Sequence, residues 1–327
     1  MMKLKIIIIT ITILITLIIP HTYADRGIIF IKPNVSVYET GQKAIIAWNG
    51  FEEILILSTD VIGEEEGMAV EILPLPSKPI IQKADFKSFE ELQKIIMNRA
   101  FEFSRSYGKG LGDLKSLEIV FHEKIGLHDI TLIKALSAKE LTYWIEEYLR
   151  KVNITQKLQL ESLEYLIQDY IDRGFQYYSI DLVTVSKIEK SINPILYRFN
   201  TSFLYYPLKI SSIISGQTQI TIFIITKEKT IVEHPHLQKA YYIGFGIKYP
   251  IEFQISKMEL EKIDSRISEL FNDYAWLKVL EYRGYLNMLK YDLIITVKQP
   301  EIPIYNIAII ITTLAITLIA MKIKRVE

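Results

Sequence analysis

The chain has 327 residues, with 38 Lys and Arg balanced by 38 Asp and Glu, and no cysteine. This length allows one large domain or two smaller ones with ample material for a core. The balanced charge excludes the basic footprint of a nucleic-acid binder, and the missing cysteine excludes disulfides, thiolate metal sites and cysteine nucleophiles. Isoleucine is heavily used and Lys and Glu dominate the charged residues, a composition that suits a hot environment.

The N-terminus carries Lys3 and Lys5, then an apolar and Thr run from Ile6 to Ile19, then Pro20, Thr22, Tyr23 and Ala24. A charged start, an apolar stretch and small residues before a cleavage point predict a secretory signal over 1–24; an uncleaved anchor helix is the alternative. At the other end, residues 303–321 are apolar apart from Tyr305, Asn306 and a few threonines, and Lys322, Lys324 and Arg325 follow. Such a run is long enough to cross a bilayer as a helix, and the basic tail predicts that 322–327 stays in the cytoplasm. The stretch 25–299 is then extracytoplasmic, and once the charges of the signal and of the tail 322–327 are set aside the rest of the chain has a net charge of about −4.

Strand patterns open this stretch: Ile28–Ile31, Val35–Tyr38, Lys43–Trp48, Glu53–Leu57 and Met68–Leu73. Asn49-Gly50 between two apolar runs predicts a two-residue hairpin, and Pro74, Pro76 and Pro79 predict the end of the sheet. Ser88 with Glu91, and Ser137 with Glu140, have capping-box spacing ahead of apolar stripes, so each predicts a helix. Between them, Leu117–Phe121 and Ile130–Ile133 read as a hairpin, and the glycines at 108, 110 and 112 lack the Lys-Ser/Thr ending of a phosphate loop. Thr155 starts a third helical pattern. Strand patterns return at Tyr177–Val185, Phe203–Ile210 and Gln219–Ile225, and Ser256–Tyr274 reads as helical. Strands and helices mix without a regular β-α-β rhythm, which predicts an α+β fold. It would have a mainly antiparallel sheet, interspersed amphipathic helices and one C-terminal transmembrane helix, with a division into two subdomains near 110–175 left open.

Tyr38–Gly50, Leu55–Asp60, Leu73–Pro79, Ile125–Ile130, Trp144, Tyr177-Tyr178 and Tyr206–Ile210 together resemble the DUF2330 family of exported proteins of unknown function. The resemblance runs from Asp25 to about Thr226 and implies export and a shared fold. It lends no catalytic residues.

Candidate chemistry is sparse. His122 and His128, with Glu123 and Asp129 beside them, bring imidazoles and carboxylates together in sequence, but not at the helical spacing of a zinc protease. His234 and His236 flank Pro235 near Glu228 and Glu233, a two-ligand start for a metal with no evident third. No Gly-x-Ser-x-Gly elbow is present, and the chain implies no cofactor. Asn34, Asn153 and Asn200 each begin a glycosylation triplet. The tyrosine pairs 177–178, 205–206 and 241–242 offer binding surface, although alternation along a strand turns one ring of each pair inward. The leading expectation is a membrane-anchored binding or assembly module outside the cell, not an enzyme, tethered by its C-terminal helix and meeting a protein partner or a second copy. A surface hydrolase built on His122 and His128 is the alternative.

Overall fold

In a computed structural model, residues 27–30, 37–107, 129–151, 161–213, 216–244 and 247–296 are described. The chain divides into two compact units, Met1–Ile295 and Thr296–Glu327.

Its elements run in order: β1 (Gly27–Phe30), β2 (Val37–Trp48), β3 (Glu52–Gly63), β4 (Gly67–Leu75), β5 (Ile80–Lys83), α1 (Lys87–Tyr107), β6 (Asp129–Lys134), α2 (Ala138–Lys151), α3 (Glu161–Asp172), β7 (Tyr177–Val185), β8 (Lys190–Ser191), β9 (Ile195–Asn200) and β10 (Phe203–Tyr206). There follow β11 (Gln217–Thr226), β12 (Gln238–Lys239), β13 (Tyr241–Gly244), β14 (Ile247–Pro250), β15 (Glu252–Ser256), α4 (Lys257–Ile263), α5 (Ser265–Glu269), β16 (Tyr274–Tyr285) and β17 (Leu293–Thr296). The fold is therefore mostly β-sheet, which corrects the α+β expectation. The strands outgrow the apolar runs because their polar residues occupy alternate positions of the same ladders: β2, β3 and β16 each run for 12 residues. The membrane-spanning helix expected at 303–321 has no support. No helix among the described residues is long and apolar enough to cross a membrane, and 303–321 lies outside them, as does the signal expected at 1–24.

The main sheet has nine strands in the order β12-β16-β11-β2-β3-β9-β5, with β15 and β8 added at β16 and β3. All its pairs are antiparallel except β2 with β11, which run parallel with Gly41 beside Gln219 and Trp48 beside Thr226. A smaller sheet, β1-β4-β7-β6, lies over one face. Side chains alternate across the main sheet as strand geometry requires. Ala44, Ile46, Leu55, Leu57, Tyr197, Ile220, Ile222 and Leu280 belong to a core shared with the smaller sheet, α2 and α3. Their neighbours Ile45, Ala47, Ile54, Ile56, Phe223, Ile225 and Val279 join a second core with α1, α4 and α5. Both faces are thus covered, and each fully buried Ile or Leu contributes roughly 1.5–3 kcal/mol of transfer free energy.

Local signals explain where elements begin. Gly50 has φ of 106°, and the Asn49 N–H donates to the Glu52 carbonyl at 3.2 Å. Gly50 and Phe51 are therefore the central pair of the turn, one residue later than the Asn-Gly spacing predicts. Asn49 Oδ1 instead accepts from the N–H groups of Phe51 and Glu52, both at 2.9 Å. Pro74 sits inside β4, opposite Tyr178; the ladder to β1 stops at Ile72, so the proline removes no donor that β1 would use. Helix α1 starts ahead of Ser88, with Asp85 Oδ1 accepting from Lys87 N–H at 2.9 Å. Ser256 caps α4 in a capping box with Glu259, and Asp264 caps α5, so one expected helix becomes two short ones.

Candidate functional site

Helix α1 lies on the second face of the main sheet through Phe89, Leu92, Ile95, Ile96 and Ala100, and Arg99 pairs with Glu259 at 3.1 Å to tie it to α4. Phe89 meets Phe223 with ring centroids 6.3 Å apart. The apolar rung of Val279, Phe223 and Ile45 across β16, β11 and β2 lies in this covered region. The next two rungs are polar. Glu281, Thr221 and Lys43 stand side by side, continued by Ser58 on β3; beyond them stand Arg283, Gln219, Gly41 and Asp60. All of these except Ser58 floor a cleft of about 460 Å³, walled on the helix side by Gln93, Ile96 and Met97. That volume is in the range of small-molecule sites.

One corner of the cleft is rigidly built. Lys43 Nζ lies 2.9 Å from Asp60 Oδ2, with both side chains mostly buried, and Ser191 Oγ donates to Asp60 Oδ1. Gly41 follows a β-bulge at Thr40, where the β2–β3 register shifts. A Cβ at Gly41 would stand 2.9 Å from Asp60 Oδ2, so glycine is what lets the carboxylate pack down beside Lys43.

A second polar cluster, around Asp292, is closed on itself. Asp292, whose side chain is fully buried, accepts from Tyr170 Oη, Arg173 Nη1 and Lys209 N–H, each at 2.8 Å. Arg173 also stacks 4.3 Å from the centre of the Tyr170 ring. Burial works against the Arg173 charge, but Asp292 more than compensates and raises its pKa. Burial and Asp292 together hold the Tyr170 hydroxyl far above its usual value. Glu53 is buried on the face toward the smaller sheet and accepts from Tyr205 N–H at 2.7 Å. Its carboxyl is pushed well above the usual carboxylate range by burial, with the Tyr205 bond pulling the other way.

The residues singled out by sequence fare differently. His122 and His128 lie outside the described residues, as do Asn34 and Asn153. Asp129 opens β6 opposite Leu182. Asn200 ends β9 in an exposed position, and its carbonyl accepts from Ser77 Oγ at 2.7 Å. His234 and His236 are neighbours, ring centroids 6.1 Å apart. His234 Nδ1 accepts from the N–H groups of His236 and Leu237 at 3.3 and 3.2 Å, and its Nε2 faces the Tyr291 carbonyl at 3.1 Å. Both ring nitrogens are thus engaged in fixing the loop, in the tautomer with the proton on Nε2, and burial holds the imidazole pKa below its usual range. No group of three or more metal-ligating side chains is found among the described residues. Tyr205 and Tyr206 are both buried, against the expected alternation, whereas Tyr241 is exposed and Tyr242 buried.

The cleft residues escaped the sequence reading. Nothing local marks Lys43, Asp60, Thr221 and Glu281 as a group, and only the pairing of β2 with β3, of β2 with β11 and of β11 with β16 brings them together.

These features define a β protein built on two large sheets, the nine-stranded one covered by helices on its outer face, with a polar cleft where that cover ends. The chain belongs to the DUF2330 family, described as an uncharacterized protein conserved in bacteria, whose profile matches residues 21–245. Among solved structures, the crystal structure of baculovirus P35 is similar over 81% of this chain and 97% of that chain, at 10% identity and a TM-score of 0.45. No curated protein matches the sequence. The family match includes Lys43, Asp60 and Thr221; Glu281 and Arg283 lie beyond it.

Proposed function

We propose that the protein is a binding module and that the cleft beside α1 is its recognition site for a small polar ligand. The supporting observation is the pair of polar rungs on an otherwise covered sheet face, with Lys43 and Asp60 locked together at 2.9 Å before any ligand arrives. A charged corner held rigid by Ser191 and by the Gly41 bulge loses little freedom on binding, which is how preorganisation raises affinity. Thr221 and Gln219 add neutral donors and acceptors between the charges, the mixture that fixes orientation in small-molecule sites.

The test is a thermal-shift screen of the full chain against amino acids, short peptides and small saccharides, run in parallel on Met97→Trp. Met97 is about half exposed on the cleft wall, so the indole fills the cleft without entering the core. Ligands that raise the melting temperature of the wild type but not of Met97→Trp support the proposal. A screen without any hit, or hits that persist in Met97→Trp, overturns it.

A further inference from the structure

We infer that Asn49 is a self-modification site, at which the turn between β2 and β3 converts the side-chain amide to a carboxylate with water as the co-reactant. The observation is the way Asn49 Oδ1 is held. The N–H groups of Phe51 and Glu52 both donate to it at 2.9 Å, a pair of backbone donors on one carbonyl oxygen. Donors at that distance stabilise negative charge on an oxygen as it develops, which is the arrangement that speeds acyl transfer. The Gly50 nitrogen lies within the ring that the Phe51 bond closes, so its attack on Asn49 Cγ forms a succinimide.

Gly50 supplies the nucleophile. Its N–H has no hydrogen bond among the described residues, so base can take the proton. Its φ is 106° and the space where a Cβ would stand is open, so no side chain crowds the attack. Phe51 beside it is 81% exposed, which leaves the turn open to water. Of the asparagines in the chain, only Asn49 precedes a glycine. Gly50 N gives up its proton and bonds to Cγ, and negative charge forms on Oδ1 between its two donors. The Cγ–Nδ2 bond then breaks, and the departing nitrogen takes up a proton and leaves as ammonia. Water opens the succinimide in one of two ways. Breaking the new Cγ–N bond leaves an aspartate at position 49, whose carboxylate accepts the same two N–H bonds. Breaking the original peptide bond leaves isoaspartate, which puts the side-chain methylene into the main chain and lengthens the turn that the Asn49 N–H to Glu52 carbonyl bond closes. The site lies beyond the end of β2 away from Gly41 and Lys43 and does not depend on the recognition-site reading.

The experiment is incubation of the full folded chain in mildly alkaline buffer, with released ammonia assayed and each asparagine followed by peptide mass mapping. The same incubation is run in subdenaturing urea, in denaturing urea and on Asn49→Asp. The folded chain is expected to convert at Asn49 ahead of every other asparagine, at a rate that rises with pH and stays flat through subdenaturing urea. Asn49→Asp should release no ammonia over the same period. A folded chain that keeps Asn49 intact while the unfolded chain loses it overturns the inference, because the turn then protects the amide. A rate that climbs through subdenaturing urea overturns it as well, since conversion would then run through the unfolded chain. Equal ammonia release from Asn49→Asp would place the reaction at another residue and overturn it too.

Discussion

The two faces of the main sheet use the same strands for opposite ends. Toward the smaller sheet, even polar side chains are sealed: Thr59, Glu53, Glu39 and Gln42 are buried, and Tyr206 Oη donates to Gln42 Oε1. Toward α1, the apolar rungs are sealed equally well, but the helix does not extend over the polar ones. Lys43 and its cross-sheet neighbours therefore keep a path to solvent. A sheet covered by a second sheet has little room for a ligand, because two pleated surfaces interlock along their length. A single helix covers a narrower strip, and function is to be sought where that strip ends.

The largest effect should come from loosening that strip. Phe89 is fully buried and packs on Phe223, so Phe89→Ala should cost about 4 kcal/mol in urea unfolding. It should also weaken any ligand of the cleft, because Gln93 and Met97 sit on the same helix. Asp292→Ala probes the sealed side. It strands Tyr170 and Arg173, and because Arg173 is about a third exposed, water recovers part of the loss, leaving about 3 kcal/mol. Cleft binding should be unchanged in that variant, and a parallel loss of binding would show that the two faces are not independent.

Glu53→Gln sharpens the comparison with a smaller, stabilising change. The folded state holds the Glu53 carboxyl above its usual range through burial. A raised pKa contributes stability that is fully present below the unfolded carboxylate value and is lost as pH rises through the folded one. Glutamine keeps an acceptor for Tyr205 N–H and has no charge to bury, so the variant should gain about 1–2 kcal/mol near neutral pH and little at acid pH. Unfolding curves taken from about pH 4.5, near the unfolded carboxylate value, upward in pH check the sign. A variant whose disadvantage grew with pH would contradict the assignment.

How much of this was legible in the sequence depended on range. Asn49-Gly50, Ser137 and Ser256 announced a turn and two helix starts because their partners lie within four residues. The turn was still misplaced by one residue, since Asn49 acts as a side-chain acceptor outside the central pair. The dominance of β-structure was obscured by polar residues within the strands, which read as interruptions although they belong to the ladders. The cleft was hidden for a different reason. Its floor joins β2 to β11 in parallel, a pairing between distant segments that no local pattern encodes, and the Asp60 carboxylate packs over Gly41, where a Cβ would stand 2.9 Å from Oδ2. The His234 and His236 pair was visible, but its use in bracing a loop depended on the Tyr291 carbonyl arriving from elsewhere in the fold.

The absence of cysteine from the chain makes the contrast between the faces directly measurable. Thr221 and Ile222 are adjacent on β11, one half-buried on the cleft floor and the other fully buried between the sheets. Thr221→Cys and Ile222→Cys therefore place a single thiol on each face in turn, and both are labelled with a small maleimide under native conditions. The account predicts that the thiol at 221 reacts readily and is protected by a bound cleft ligand, while the thiol at 222 reacts only when the protein unfolds. Equal rates at the two positions, or a silent thiol at 221, would contradict it.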